Sequence, residues 1–568
     1  MGLRETIKKE WKFVIITALI IVIITSLPHI FGYLNAKNKY YTAIQALNPH
    51  DPFVYYSYIQ QAKDGHWLFK DLYTSEPQQR MIFNPLWLWV GLFGKIFSLS
   101  NVLAFQLSRI ILILVFIVLA YLFISYFFEN RQKRKVCLIL LIFSSGLGAW
   151  MEPLLRARIP DLLKIGYLYL PPDIWVAESN TFLTLYNTPH FIASLSLIIL
   201  IFSLMLLSFK NGKIKYSIFA GVAALALFFF HPYHLPLIFL VLGIYILVIF
   251  IKNKRIIWQW IKYYLILLLF SLPAILYHFR MLDSDPLGRQ RAIQNLCITP
   301  PLWLVLAGYG FLIIFAPAGI YFLLKNKKLD DKYIFIITWL IVQFLIIYFP
   351  INFQRRFIEG LHVPLVVLTT IGLSSLYRCL QKKLPSKLSF FLNNKTLAVI
   401  LFVILFCTSN LCILTSDLTL YYKFSRLPES PIFSIYPSKE TMESIKWLKE
   451  NTSENSIILA NTPSLNELVP AFSGRIVYIG HWGETLFLKE KLEKFSWFLT
   501  GEEDDIEKYK FLQKNRIDYL FWSKENGYTN YLVDSNEKKL GFKKFIPEKK
   551  DYLERIFEKG KIAIYRVN

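Results

Sequence analysis

Apolar and polar positions alternate in long blocks along the chain. Runs of about 17–22 apolar residues recur, each long enough as a helix to cross a ~30 Å hydrocarbon layer. They fall at 13–31, 105–128, 136–151, 190–209, 216–231, 235–251, 258–277, 302–324, 333–349, 362–378 and 396–414. The pattern predicts an α-helical polytopic membrane protein with about 11 transmembrane helices. Two long segments, 32–104 and 152–189, separate the early spans. Beyond 416 the pattern changes: TMESIKWLKEN and IEKYKFLQKNR read as helices, and SIILA, RIVYIG, IDYLFW and KIAIYRV as strands. That alternation predicts a small α/β domain with a largely parallel sheet. The expected organisation is a transmembrane part, 1–415, with outer loops 32–104 and 152–189, and a soluble extracytoplasmic α/β domain, 416–568.

Composition agrees with that pattern. The 568 residues are 55% hydrophobic and 17% aromatic, too apolar for a soluble chain to cover with polar surface. The net charge of +24 is placed as an orientation signal. RQKRK (131–135), KNGKIK (210–215), KNKR (252–255), KNKKLDDK (325–332) and RCLQKKLPSK (378–387) fall on one side of the threading, with the N-terminal KKEWK. By the positive-inside rule that side is the cytoplasm, and an odd number of spans puts the C-terminal domain outside a multi-pass plasma-membrane protein. The basic clusters lack interleaved aromatics, so nucleic acid is not a partner. The first apolar run is too long for a signal peptide and has no small-residue cleavage site, so it reads as a retained span. Cys137, Cys297, Cys379, Cys407 and Cys412 match neither a disulfide framework nor a zinc site and read as packing residues.

Candidate chemistry lies in the outer loops. In NPHDPFVYYSYIQQAKDGHW (48–67), Asp51 suits a helix N-cap, Pro52 the first helical position and Gly65 the stop. Phe53, Tyr56 and Ile59 line one side, with Tyr55 and Tyr58 beside them, as in a helix lying flat at a membrane–water interface. FNPLWLWVGLFGKIF (83–97) reads as a second interfacial helix anchored by Trp87 and Trp89. A capping carboxylate is held rigidly, so capping and catalysis are compatible at Asp51. The second loop carries Asp161, Asp173, Glu178 and His190. Glu178 can orient an acceptor or bind a metal, or be a solvated loop acid; His190 opens a span. HPYH puts His231 and His234 three apart, a spacing that can share a metal, but no third ligand is nearby in sequence, and a polar turn lining a cavity is the alternative. FQRRFIEGLHVP (353–364) sets Arg355 and Arg356 on the outer side, against the positive-inside trend. Adjacent guanidiniums suit a phosphate or pyrophosphate; a head-group anchor or a partner for Glu359 is the plainer reading.

A first span, a large outer loop with an early Asp before a short helix, many further spans and a soluble outer domain together resemble the C-type membrane glycosyltransferases that use polyprenyl-phosphate sugars. The family includes the protein O-mannosyltransferases, the lipid A aminoarabinose transferases and the oligosaccharyltransferase catalytic subunits. The likeness covers the whole topology and is carried by HDPFVYYSYIQQAKDG, with ESNTFLTLYNTPH and FQRRFIEG. It implies Asp51 as catalytic base or acceptor-orienting carboxylate and Arg355 and Arg356 on the lipid phosphate; Tyr55, Tyr56, Glu178, His190, His231 and His234 are the candidate substrate contacts. It also implies a polyprenyl-phosphate-linked sugar donor, a glycan, lipid or protein acceptor, membrane lipids as surroundings, and inversion at the sugar C1. No cofactor is fixed, and a divalent metal stays open. There is no Asp-Glu pair at Asp51, which counts against a close protein O-mannosyltransferase, and GHWGET (480–485) is the nearest string to the oligosaccharyltransferase signature WWDYG. Two other readings are a lipid or glycan flippase and a non-enzymatic scaffold. The first expects inverted repeats, which are not seen; the second leaves two long structured loops unexplained.

Overall fold

The computed structural model describes residues 3–159, 167–294, 296–383, 394–430, 434–500, 505–524 and 545–568. Asp161 and the end of the basic stretch at 384–387 lie outside these. Every apolar run expected to span falls largely on helix, with breaks inside the runs at 136–151 and 302–324. Among the described residues, eight helices are long and apolar enough to cross a membrane: Glu10–Leu34, Asn101–Phe127, Arg131–Arg158, Pro189–Asn211, Pro232–Asn253, Trp258–Ser284, Gln354–Gln381 and Thr396–Arg426. A ninth is the pair Leu302–Tyr309 and Leu312–Lys325, bent by 79°. The bend is at Gly310, whose φ of +50° suits glycine, and a Cβ there would meet the Gly146 backbone at 3.1 Å. The other two expected runs lie on shorter helices, Ile214–Phe230 and Asp331–Ile346.

The chain forms two compact units. The first comprises Met1–Leu27, Ser108–Arg280 and Leu296–Ser416; the second comprises Pro28–Leu107, Met281–Asn295 and Asp417–Asn568. In the first, helices cross closely where side chains are small. A Cβ on Gly319 would fall within 2.1 Å of the Leu368 carbonyl. Buried polar groups then fix the connections between helices. The His362 ring joins Ser144 Oγ at 2.9 Å to Thr181 Oγ1 at 2.9 Å. Gln343 Nε2 donates to the carbonyls of Phe357 and Glu359 at 2.6 and 2.7 Å, so the turn through Glu359 is held from inside the helical layer.

The second unit holds a five-stranded sheet in the order β2-β1-β3-β5-β4. Its strands are β1 Ile457–Ala460, β2 Ile476–Val477, β3 Tyr519–Ser523, β4 Leu553–Lys559 and β5 Ile562–Val567. β1 pairs parallel with β2 and β3, whereas β5 pairs antiparallel with β3 and β4. The expected largely parallel sheet is therefore a mixed one. The missed strand is β4, LERIFEK, an edge whose side chains are mostly exposed and charged. Such a strand has little apolar alternation to read.

Successive residues of β1 feed opposite faces. Ile458 and Ala460 join a core with Phe53, Tyr56, Ile59, Leu465 and Leu468. Ile457 and Leu459 join another with Phe495, Phe498, Leu512 and Leu520. The helix Asp51–Lys63 is thus buried on nearly every face, and its tyrosines do not form the exposed amphipathic stripe expected of an interfacial helix. Of the two tryptophans expected as anchors, Trp89 is exposed and Trp87 is buried.

Candidate functional site

In the second unit the site grows from the turn Asn48-Pro49-His50-Asp51. The helix begins at Asp51 itself, and His50 occupies the N-cap position expected for Asp51. A carboxylate in the first helical turn is favoured by the peptide dipoles. Asn48 Nδ2 donates to Asp51 Oδ2 at 3.0 Å. His481 Nε2 lies 3.0 Å from Oδ1. The other nitrogen of that ring, Nδ1, accepts the Gly483 N–H at 3.1 Å. With Nδ1 accepting, the proton of the neutral ring sits on Nε2, so His481 donates to Asp51. Burial disfavours charge on His481, but the bond and charge of Asp51 outweigh it and raise its pKa above the usual imidazole value. The Asp51 side chain is 25% exposed and that of His481 5%. The carboxylate is therefore partly open to the surface while its imidazole partner is enclosed.

The ring is positioned by its loop. Gly480 N donates to Thr485 Oγ1 at 3.0 Å, and Thr485 Oγ1 donates to the Tyr73 carbonyl at 2.9 Å. Arg291 lies 3.6 Å from Asp71 and 3.5 Å from Glu484. Burial pushes the Asp71 carboxyl up to about 7, with Arg291 opposing. A second histidine–carboxylate pair adjoins the first: His50 Nδ1 lies 2.6 Å from Oε1 of Glu467, a carboxyl whose pKa is raised by burial. His481, Glu467 and Arg291 carry no local signal in the sequence beyond the presence of His481 in GHWGET. The contact with Asp51 spans 430 residues, and no local pattern encodes it.

Of the two tyrosines expected at substrate, Tyr55 is half-buried and stacks on Trp87 with centroids 4.7 Å apart. Tyr56 is fully buried, and its hydroxyl donates to the Thr42 carbonyl at 2.8 Å. That leaves Tyr56 a core residue, with no face for a ligand.

The other expected site residues lie in the first unit, where structure brings several together. Arg356 Nη1 donates to Glu178 Oε1 at 2.6 Å, so Glu178 is an ion-pair partner and not a solvated acid. The Arg355 guanidinium lies 4.7 Å over the Trp175 ring, and that of Arg356 lies 6.0 Å from the Tyr233 ring. Both arginines sit on a 3-10 turn, Gln354–Ile358. His190 Nδ1 pairs with Thr188 Oγ1 at 2.9 Å, and its ring meets His231 edge-on with centroids 5.6 Å apart.

HPYH does acquire a third ligand-type residue, from FQRRFIEG. His234 Nε2 lies 2.8 Å from Glu359 Oε2, and His231 Nδ1 lies 3.5 Å from the same oxygen. The other oxygen of Glu359 accepts from Ser194. His231, His234 and Glu359 are all buried, with potential ligand atoms within 4.8 Å of one another. The turn that delivers Glu359 needs Gly360, at φ +91°. Asp173 accepts from Gly146 N at 3.0 Å and Gly148 N at 3.2 Å, and burial pushes its carboxyl up to about 7.

No protein-family model and no curated protein matches the chain. Solved structures do. The Archaeoglobus fulgidus oligosaccharyltransferase tethered with an acceptor peptide has a TM-score of 0.50 at 15% identity, covering 91% of this chain and 70% of its own. A mutant of the arabinofuranosyltransferase AftD from Mycobacteria has a TM-score of 0.52 at 12% identity, covering 98% of this chain and 41% of its own. ArnT from Cupriavidus metallidurans in the apo state has a TM-score of 0.48 at 11% identity, covering 96% and 97%. The first two carry the comparison, and at these identities they establish a likeness of fold. The resemblance to C-type membrane glycosyltransferases expected from the sequence holds for the fold.

Proposed function

We propose that this protein is a membrane glycosyltransferase that moves a sugar from a polyprenyl-phosphate carrier to an acceptor hydroxyl on the extracytoplasmic side. The observation that carries the reading is the Asp51 carboxylate, held by Asn48 and His481 and still 25% exposed, in a chain with the fold of two sugar-transferring proteins. A hydroxyl is a weak nucleophile at neutral pH. A carboxylate within hydrogen-bond reach takes its proton as the oxygen attacks the sugar C1. The C1–O bond to the lipid phosphate breaks as the new C1–O bond forms, and configuration at C1 inverts. The leaving phosphate gains negative charge that cations must offset; adjacent guanidiniums, such as Arg355 and Arg356 in the first unit, are of the kind that bind a phosphate. In this reading Glu178 presents Arg356 within the first unit. The donor partner is a polyprenyl-phosphate sugar and the acceptor a glycan, lipid or protein hydroxyl. The protein sits in the plasma membrane with its N-terminus cytoplasmic.

The test is to incubate purified protein with a panel of polyprenyl-phosphate sugars and quantify released lipid phosphate, for wild type and for Asp51→Asn confirmed to be folded. Donor-specific release that depends on Asp51 supports the reading. Release unaffected by Asp51→Asn removes its assigned base, and no release with any donor removes the donor class.

A further inference from the structure

We propose that His231, His234 and Glu359 form a binding site for a divalent transition-metal cation of the zinc class. The proposal stands whether or not the chain transfers a sugar. Three observations converge on it. The donor set is two imidazoles and one carboxylate, which suits zinc or cobalt and is too nitrogen-rich for calcium or magnesium. The geometry is close to that of ligands around one ion. Neighbouring ligands bound at ~2.0–2.1 Å in a tetrahedron lie ~3.3 Å apart, and Glu359 Oε2 is 2.8 Å from His234 Nε2 and 3.5 Å from His231 Nδ1. Finally, His231 Nδ1 is buried and has no hydrogen-bond partner among the described residues, although the ring is 4% exposed and the atom faces a carboxylate. A buried polar atom left so is destabilising. A cation on that nitrogen would satisfy it.

The surroundings hold the ligands in place. His231 ends the helix Ile214–Phe230 at its C-cap, and Pro232–His234 is a 3-10 turn, so the two rings are set by backbone that cannot rotate freely. Glu359 is oriented through its Ser194 contact, and its own carbonyl is bonded by Gln343. Three protein ligands leave a fourth position on a tetrahedral ion for water or an anion. A metal-free, hydrogen-bonded histidine–glutamate cluster is the competing arrangement.

The test uses the full chain purified in detergent, stripped with a chelator, reloaded with Zn²⁺ or Co²⁺ and freed of excess metal. We expect one equivalent of zinc per chain by elemental analysis, and tetrahedral cobalt absorption bands. Glu359→Gln keeps the side chain's shape while removing its charge. It and His231→Gln should each reduce retained metal below ~0.1 equivalent, whereas His190→Gln should retain it. Zinc should also raise the melting temperature of the wild type and not of the variants. Folded wild type that retains no stoichiometric metal overturns the proposal. So does retention of one equivalent with an unchanged cobalt spectrum in both Glu359→Gln and His231→Gln. Should Glu359→Gln fail to fold, His231→Gln and the wild-type cobalt spectrum decide.

Discussion

Each unit contains a carboxylate in contact with histidine, and the two differ in what burial does to them. Asp51 meets His481 at 3.0 Å with a quarter of its side chain exposed. Glu359 meets His234 at 2.8 Å with none of its side chain exposed, and both its oxygens already have protein partners. Both carboxylates are held on both oxygens; what separates them is that Asp51 reaches the surface and Glu359 is enclosed. Chemistry on an exogenous molecule needs the first kind; holding an ion or a turn in place needs the second. Asp173 is a third variant, buried as completely as Glu359 but facing backbone N–H groups.

The sharpest break in this comparison is expected from removing each carboxylate in turn. Asp51→Asn should lower transfer by ~10²–10⁴-fold, the range of a positioned general base, with little change in melting temperature. Glu359→Ala should do the reverse at the level of the fold and destabilise by about 3 kcal/mol, because it strands buried partners, as measured by thermal unfolding in detergent. Equal effects of the two changes on both readouts would dissolve the distinction.

Titration separates the groups further. The Asp173 carboxyl binds its proton up to about pH 7 in the fold, against 3.8 as its ordinary value. The folded state therefore holds more protons than the unfolded one between those limits. Its stability contribution is present at low pH and lost as pH rises through that window. Asp173→Asn should flatten the slope of melting temperature against pH there. His481 has the same sign at a higher window. Its pKa is raised above 6.5 by Asp51 against the opposing effect of burial. Its contribution is complete below that ordinary value and lost as pH rises through the raised one. His481→Gln should remove this loss and slow transfer by about tenfold through a mispositioned Asp51. The smallest effect is expected for His50→Ala. His50 is 31% exposed, so its pairing with Glu467 is partly screened, and transfer should change by no more than about threefold.

Much of the fold was legible because its signals are local. The apolar runs expected to span lie largely on helices, and four of the strands follow short β-branched and aromatic runs. Signals that depend on tertiary context were not. The stretch 51–63 reads as an amphipathic interfacial helix, yet Phe53, Tyr56 and Ile59 pack with Ile458 and Leu465 from the far end of the chain. β4 lacked an apolar face to announce it. At the candidate sites, residue types and neighbours were visible separately. HPYH lacked a third ligand until Glu359, 125 residues from His234, came beside it. GHWGET looked like a weak echo of another motif, and its His481 is the group that holds Asp51. Local pattern predicted where polar chemistry concentrates. Which side chain faces which was decided by the packing of distant segments.

The most direct test of the central claim is a single transfer reaction with a polyprenyl-phosphate sugar of known anomeric configuration, followed by determination of the configuration at C1 of the product. One displacement assisted by Asp51 predicts a product of inverted configuration, made by the wild type and lost in folded Asp51→Asn. A product of retained configuration, or an inverted one formed equally well by Asp51→Asn, would contradict it.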